Sequence, residues 1–586
     1  MALTKARNRM IGNSPINVLD FMTSAQITDV TSKTGSVDVS AAVQAAINSA
    51  ETPDSAIYFP QGTYLLNSEV LLVSESRVYG DGIGATTIKA GDGFELSGRL
   101  FDTFRRDNIT IEGIKFDGNI AGQTGYVPAS DNGVSAIIIR SSKNITIRNC
   151  YFQEFGKDGV FMFETPPAKT NERINIQDCE FDTIYRNGIS VISGEDIVIS
   201  GNTFFDSNTV ALASVTVGDG IRIEPDSSTE YTINCTISNN TFKDQHGGVN
   251  VYNENASTIM RNIVITSNVF DNISNAAGVV LNKLDDQGAT VSNNRFYDCG
   301  STTADDSITY GGGINCTGSD NVIISGNFFD GCTGKQATIG FDQGGLYSQV
   351  VNNVFVNDQR RAIIMQTPPV TASMRGSFRI IQNNTCINGG QETANTYEAL
   401  RILGNSGEGG TGGSDVIAYN VIDTDTTSGY NGGLVVGYDN GETLIGENII
   451  RGNGTDYSLA GGTSPIYEYE VAQSGSAACT GALTGSVDYQ IRRQKDLVTL
   501  DFGSLTGTTT NVADITMGVT LPSRFRPSAT RYGFCLVQIN NAVVNQVGLI
   551  QVSTNGTIII YRDPTQTTWG TAANTGFASA TITYVI

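Results

Sequence analysis

The sequence holds a single histidine, His246, a single tryptophan and only 13 prolines among 586 residues. One histidine excludes every multi-histidine metal site and every histidine-based triad except one that uses His246. Lysine and arginine number 36 against 58 acidic residues, a net charge of −22, and nowhere do the cations gather into a stripe. No nucleic-acid partner is expected of such a chain. Nine cysteines without short regular spacing argue against a disulfide framework and a zinc site, and no cofactor is expected. The basic start from Met1 to Met10 leads into no apolar run, so neither Sec export nor membrane insertion is expected.

Against these absences stands a repeated phrase of aliphatic, two variable residues, usually Asn, one variable residue, then usually Phe. It occurs twelve times, as IEGIKF (111–116), IRNCYF (147–152), IQDCEF (176–181), ISGNTF (199–204), ISNNTF (237–242), ITSNVF (265–270), VSNNRF (291–296), ISGNFF (324–329), VVNNVF (350–355), IQNNTC (381–386), IAYNVI (417–422) and IGENII (445–450). Successive phrases end 23 to 38 residues apart, which suits coils with one invariant rung and loops of variable length. The aliphatic residue and the Phe are candidate core. The fourth position is Asn from Asn202 through Asn448, read as a residue that turns the chain in the left-handed conformation and bonds its amide to the next rung. Cys150 and Cys179 hold that position on two earlier rungs and are read as small buried packing residues.

A second strand of the form Gly-apolar-x-apolar follows most phrases, as in Gly159-Val160-Phe161-Met162 and Gly220-Ile221-Arg222-Ile223. Two or three short strands per coil of about thirty residues predict a parallel β-helix, on the order of 55 Å long for twelve rungs. The predicted divisions are an N-terminal arm (1–35), a capping helix and first strands (36–100), the β-helix (101–464) and a C-terminal antiparallel β-sandwich (465–586) that serves trimerisation or carbohydrate binding. The helix over 38–50, capped by Asp38 or Ser40, is placed to cover the open end of the stack.

The capping helix, the stretch Ile57-Tyr58-Phe59-Pro60-Gln61-Gly62-Thr63-Tyr64, the twelve phrases and the terminal strands together resemble the pectin-lyase-like right-handed parallel β-helix of bacteriophage tailspikes. Thr4 to Ile11 followed by Ile16 to Phe21 is similar to the segment that enters the helix in such spikes. The resemblance covers nearly the whole chain and implies a homotrimer that binds a bacterial surface polysaccharide, O-antigen or capsule, and cuts it. It also implies a place in the virion tail, after assembly in the bacterial cytoplasm, with attachment to a tail or baseplate protein through the N-terminal arm. The same fold hosts hydrolases, lyases and passive binders, so a polysaccharide lyase and a non-catalytic spike are the alternatives.

Glycoside hydrolysis needs a carboxylate pair, which adjacent rungs supply readily. Matching Ile221 to Val249 aligns Arg222 with Asn250, Glu224 with Tyr252 and Asp226 with Glu254. Glu224 is the candidate acid or base, with Glu254 or Asp226 as its partner. Arg222 would hold a hydroxyl or sugar carboxylate, Tyr252 would stack on a pyranose ring, and Asp219 and His246 would complete the substrate contacts. Rival carboxylates are Asp158 with Glu164, Asp285 with Asp286, Asp305 with Asp306, and Asp342. A solvated face on a strongly acidic protein is the alternative for any one of them. Phe161, Phe163 and Ile192, on outward rows, are the apolar positions that a trimer is expected to bury.

Overall fold

A computed structural model describes residues 14–50, 55–123, 125–126, 133–164, 171–206, 218–253, 258–274, 276–285, 287–300, 311–366, 378–392, 397–403, 415–423, 430, 432–437, 444–446, 448–451, 455–460, 471–494, 497–521, 525–539 and 542–586. Among them three parallel sheets of fifteen, fourteen and fourteen strands run the length of the repeat, each strand pairing with its counterpart one coil away. The twelve phrases are twelve consecutive coils. Their first residues pair in one unbroken column from Ile111 through Ile147, Ile176 and Ile199 to Ile445.

Their last residues form a second column, in which nine Phe rings from Phe116 to Phe355 stack with centroids 4.7–5.2 Å apart. The spacing is that of the strands themselves, so each ring meets its neighbours at van der Waals contact in the closed core. This stack explains the glycine that opens the second strand in six consecutive coils. A Cβ on Gly159, Gly188, Gly220, Gly248, Gly278 or Gly313 would lie 2.5–2.7 Å from a Phe ring carbon.

The asparagines divide their work differently from the expectation. The left-handed residue is the third of the phrase in the eleven coils from Gly113 to Tyr419, with φ of 51–69° at positions such as Asn149, Gly201, Asn239 and Gly326. The fourth residue is not in that conformation. It turns its amide inward, and from Asn202 to Asn420 each Nδ2 and backbone N–H donates to the Oδ1 of the next Asn at 2.9–3.1 Å. Cys150 and Cys179 continue this column as buried thiols, and all nine cysteines are buried and unbridged.

Helix α1 (Ser24–Thr31) and helix α2 (Ser40–Asn48) close the N-terminal end. The Asp38 carboxylate accepts the Ser40 N–H at 2.9 Å, and Gln44 bonds both the N–H and the C=O of Leu71 on an edge strand. Folded structure begins inside the expected arm: Ile16–Asn17 already pairs with Ile57 and Tyr58. Residues 1–13 lie outside the described part.

Nine strands of the third sheet matter below: β1 (Val160–Phe163), β2 (Ile189–Val191), β3 (Asp219–Ile223), β4 (Gly247–Tyr252), β5 (Val279–Asp285), β6 (Gly311–Ser319), β7 (Ala337–Asp342), β8 (Arg361–Gln366) and β9 (Glu398–Leu403). At the C-terminus ten antiparallel strands form one continuous sheet that doubles over itself, giving the expected two layers. Its strand β10 (Arg531–Ile539) pairs with β11 (Ala542–Val552), and the facing layer brings Ile582 against Gly533 and Phe577 against Phe502.

One acid is sealed inside the β-helix. Asp358 is 0% exposed, and burial, only partly offset by the neighbouring Thr338 hydroxyl, pushes its pKa well above the ordinary range. A folded state that keeps this proton loses stability as pH rises from the unfolded carboxyl range near ~3.9 toward the raised folded value. Asp358→Asn is expected to raise the denaturant midpoint at pH 7–8, with the gain shrinking toward pH 4.

Candidate functional site

The register reproduces the alignment read from sequence: Ile221 pairs with Val249, Arg222 with Asn250 and Ile223 with Val251. Arg222 therefore stands in an outward row with Phe161 and Ser190 before it and Asn250 and Val280 after it. Glu224, whose N–H donates to Val191 O, continues the strand on that face, and Tyr252 stands beside Asn282.

Arg222 is clamped from two sides. Its Nε donates to Glu224 Oε2 at 2.7 Å and its Nη2 to Glu224 Oε1, while Nη1 donates to Asp219 Oδ2 at 3.3 Å. The two acids differ in access. Asp219 has 3% of its side chain exposed and Glu224 22%. Asp219 lies behind because Gly220 and Ile221 both face the core, which breaks strand alternation and returns residue 219 to the side of Arg222. Its Oδ1 occupies the space over Gly247, where a Cβ would come within 2.0 Å. Burial raises the Asp219 pKa, opposed by Arg222 and His246. Asn250, which the sequence reading aligned but gave no role, donates to Asp219 Oδ2 at 3.0 Å and leaves its own Oδ1 without a partner.

His246 belongs to this cluster through Asp219. Burial lowers its pKa, opposed by the Asp219 charge, and Nδ1 makes no hydrogen bond. Tyr252 accepts a hydrogen bond from Lys283 Nζ at 3.1 Å, with the ammonium 5.0 Å over its ring. Asp226 is exposed in the turn beyond β3, where its N–H donates to Glu230. Glu254 lies outside the described residues.

Among the rivals, Asp158 is fully buried, accepts Arg186 Nε at 2.8 Å and Ser190 Oγ at 3.1 Å, and cannot meet a substrate. Glu164 and Asp342 are partly buried, and burial raises both pKa values. Asp286, Asp305 and Asp306 lie outside the described residues, as does the Asp285 side chain. Ile192 is only 7% exposed, covered within its own chain, and Phe161 and Phe163 pack under Arg186 and Arg140 at 5.2 and 5.8 Å. Ile192 is thus not an apolar position awaiting a partner subunit.

The arrangement offers a cation, an accessible carboxylate, an amide and an aromatic ring on two adjacent rungs. A carboxylate held by two guanidinium hydrogen bonds suits the base or nucleophile role better than that of proton donor. Asp219 is closed to substrate and orients Arg222 and Asn250.

Residues 26–113 match the family described as rhamnogalacturonase A/epimerase, pectate lyase-like, and residues 219–367 the family described as right handed beta helix region. No curated protein sequence matches the chain. Among solved structures, a mutant tailspike protein of E. coli bacteriophage HK620 in complex with a pentasaccharide is similar at 12% identity and TM-score 0.52, covering 97% of this chain and 92% of that one. The Dettilon tailspike protein aligns at 11% identity and TM-score 0.41 over 93% and 91% of the two chains. The N-terminal fragment of the bacteriophage Phi29 gene product 12 aligns at 16% identity and TM-score 0.48 over 77% and 72%. At these identities the likeness is one of fold, and the chain has the right-handed parallel β-helix fold that the HK620 tailspike shares.

Proposed function

We propose that this protein is a tailspike of a phage virion that recognises a bacterial surface polysaccharide and cuts it by glycosidic hydrolysis on the outer face of β3 and β4. The observation that carries the reading is the Arg222–Glu224 pair, turned outward in register with Asn250, with buried Asp219 fixing the guanidinium from behind. Glu224 acts as the carboxylate that attacks the sugar or activates water, and Glu254 or Asp226 acts as its partner. Arg222 and Asn250 hold hydroxyl or carboxylate groups of the substrate, and Tyr252 packs on a sugar ring. The N-terminal arm joins the spike to a tail or baseplate protein.

The test is incubation of the purified protein with lipopolysaccharide and capsule from a panel of candidate hosts, followed by size analysis and ultraviolet absorbance. Shortened chains without new absorbance support hydrolysis. Shortened chains with it indicate a lyase, and binding without shortening indicates an adhesive spike.

A homotrimer is part of this reading, and its support lies in the C-terminal sheet. Tyr532, Phe534 and Leu536 on β10 are 57%, 61% and 45% exposed, and Val547, opposite Leu536 on β11, is 43% exposed. Such a row is uncharged, so another copy of the chain can cover it without burying a charge. Burying one Phe contributes about 1.5–3 kcal/mol. Phe534→Asp is expected to shift sedimentation from trimer toward monomer at micromolar concentration, and an unchanged trimer would remove this row from the interface.

A further inference from the structure

The acid–Arg pair of β3 recurs at the same register six rungs along the same sheet. From Arg222 the outward row runs through Asn250, Val280, Asn315, Gly340 and Ile364 to Arg401 on β9. Three residues before Arg401 stands Glu398, as Asp219 stands three before Arg222. The ion pairs match, with Arg401 Nη1 to Glu398 Oε1 at 3.2 Å and Arg222 Nη1 to Asp219 Oδ2 at 3.3 Å. Between each acid and its Arg lie a small residue and an aliphatic one, Ala399-Leu400 and Gly220-Ile221, all buried in the core. At strand spacing the two guanidinium groups are on the order of 29 Å apart along the axis.

The second cluster differs from the first in two ways that alter its chemistry. Glu398 is held by a second cation, Arg361, whose Nε donates at 2.8 Å and Nη2 at 3.4 Å. The residue that follows in the place of Glu224 is Leu403, so the second cluster lacks the accessible carboxylate of the first. Arg360 pairs with Glu392, and Tyr397 lies between the guanidinium groups of Arg361 and Arg360 at 5.2 and 5.7 Å. The three arginines outnumber the two glutamates, a local positive excess on a chain of net charge −22. Arg401 has 36% of its side chain exposed, and its Nε makes no hydrogen bond.

We infer that Arg401, framed by Arg361, Glu398 and Tyr397, is a second glycan-binding site that takes the carboxylate of an acidic sugar and holds it without cutting. It rests on the proposed reading that the chain binds a polysaccharide, and it adds that the polymer is acidic and lies along the axis of the β-helix. Between the two clusters, the partly exposed Asn282 and Thr317, in the row that ends at Leu403, offer an amide and a hydroxyl for the intervening sugars.

The experiment measures binding of intact capsular polysaccharides from the host panel, each as isolated and after reduction of its carboxyl groups to alcohols. The proteins are the Glu224→Gln variant and the same variant carrying Arg401→Gln or Leu403→Asp, with melting recorded for each. Leu403→Asp leaves Arg401 in place and supplies a competing carboxylate. The expected result is a loss of affinity of tenfold or more on carboxyl reduction, a similar loss from either second substitution, and no further loss when substitution and reduction are combined. Affinity within twofold of the Glu224→Gln parent for both double variants would overturn the inference, and leaves the β3 site standing if Glu224→Gln has stopped cleavage. Continued cleavage by Glu224→Gln together with weakened binding on loss of Arg401 would remove the β3 assignment and keep the distal site.

Discussion

Glu224→Gln is expected to lower the rate of polysaccharide cleavage by about 10²–10⁴-fold, the range typical of a lost acid–base group, with the melting temperature unchanged. The substitution keeps the size and hydrogen-bonding reach of the side chain but removes its charge. Arg222 retains Asp219, and Asp219 retains Asn250, so the buried side of the cluster survives. Binding of intact polysaccharide should persist, because Arg222, Asn250 and Tyr252 are untouched. Full activity in this variant would transfer the chemistry to another carboxylate, of which Glu164 and Asp342 are the partly exposed candidates among the described residues.

The second large effect concerns stability. Asn294→Ala, in the middle of the amide ladder, is expected to cost roughly 2–6 kcal/mol, because two buried backbone groups lose their partners at about 1–3 kcal/mol each. Asn294 Oδ1 accepts the Asn268 N–H at 2.9 Å, and its Nδ2 donates to Ile265 O and Asn327 Oδ1 at 3.0 Å. The N–H of Asn268 and the C=O of Ile265 face the interior and cannot turn to water. Asn262, exposed and left-handed with φ of 56°, makes the useful comparison, since its amide bonds only the exposed Asn234 side chain. Asn262→Ala is expected to cost about 1 kcal/mol, because Ala lacks the short polar side chain that lets Asn tolerate that conformation. Denaturant midpoints of the two variants measure the difference, and equal shifts would mean that the ladder contributes no more than turn propensity.

These two asparagines show what the sequence could and could not carry. The columns of aliphatic and Phe residues were legible because most coils repeat them at a fixed offset, and like side chains pack on one another at strand spacing. The division of labour between the third and fourth positions was hidden, since Asn, Asp, Gly and Ser all serve the left-handed turn and Asn serves the ladder as well. The register of β3 against β4 could be read from the Gly-apolar start, whose glycine answers to the Phe stack. The burial of Asp219 could not, because it depends on Gly220 and Ile221 both facing inward. A strictly alternating strand would have put residue 219 in the core. The same Asp-Gly-apolar layout buries Asp158 beside Arg186, so this motif marks a buried acid with an arginine partner rather than a catalytic carboxylate.

The most direct measurement is a crystal structure of the Glu224→Gln variant with an oligosaccharide prepared from the polysaccharide that the protein shortens. The account predicts sugar density across β3 and β4, with a glycosidic oxygen or anomeric carbon near residue 224 and ring contact at Tyr252. Density confined to another sheet of the β-helix, or to the C-terminal layers, would contradict it.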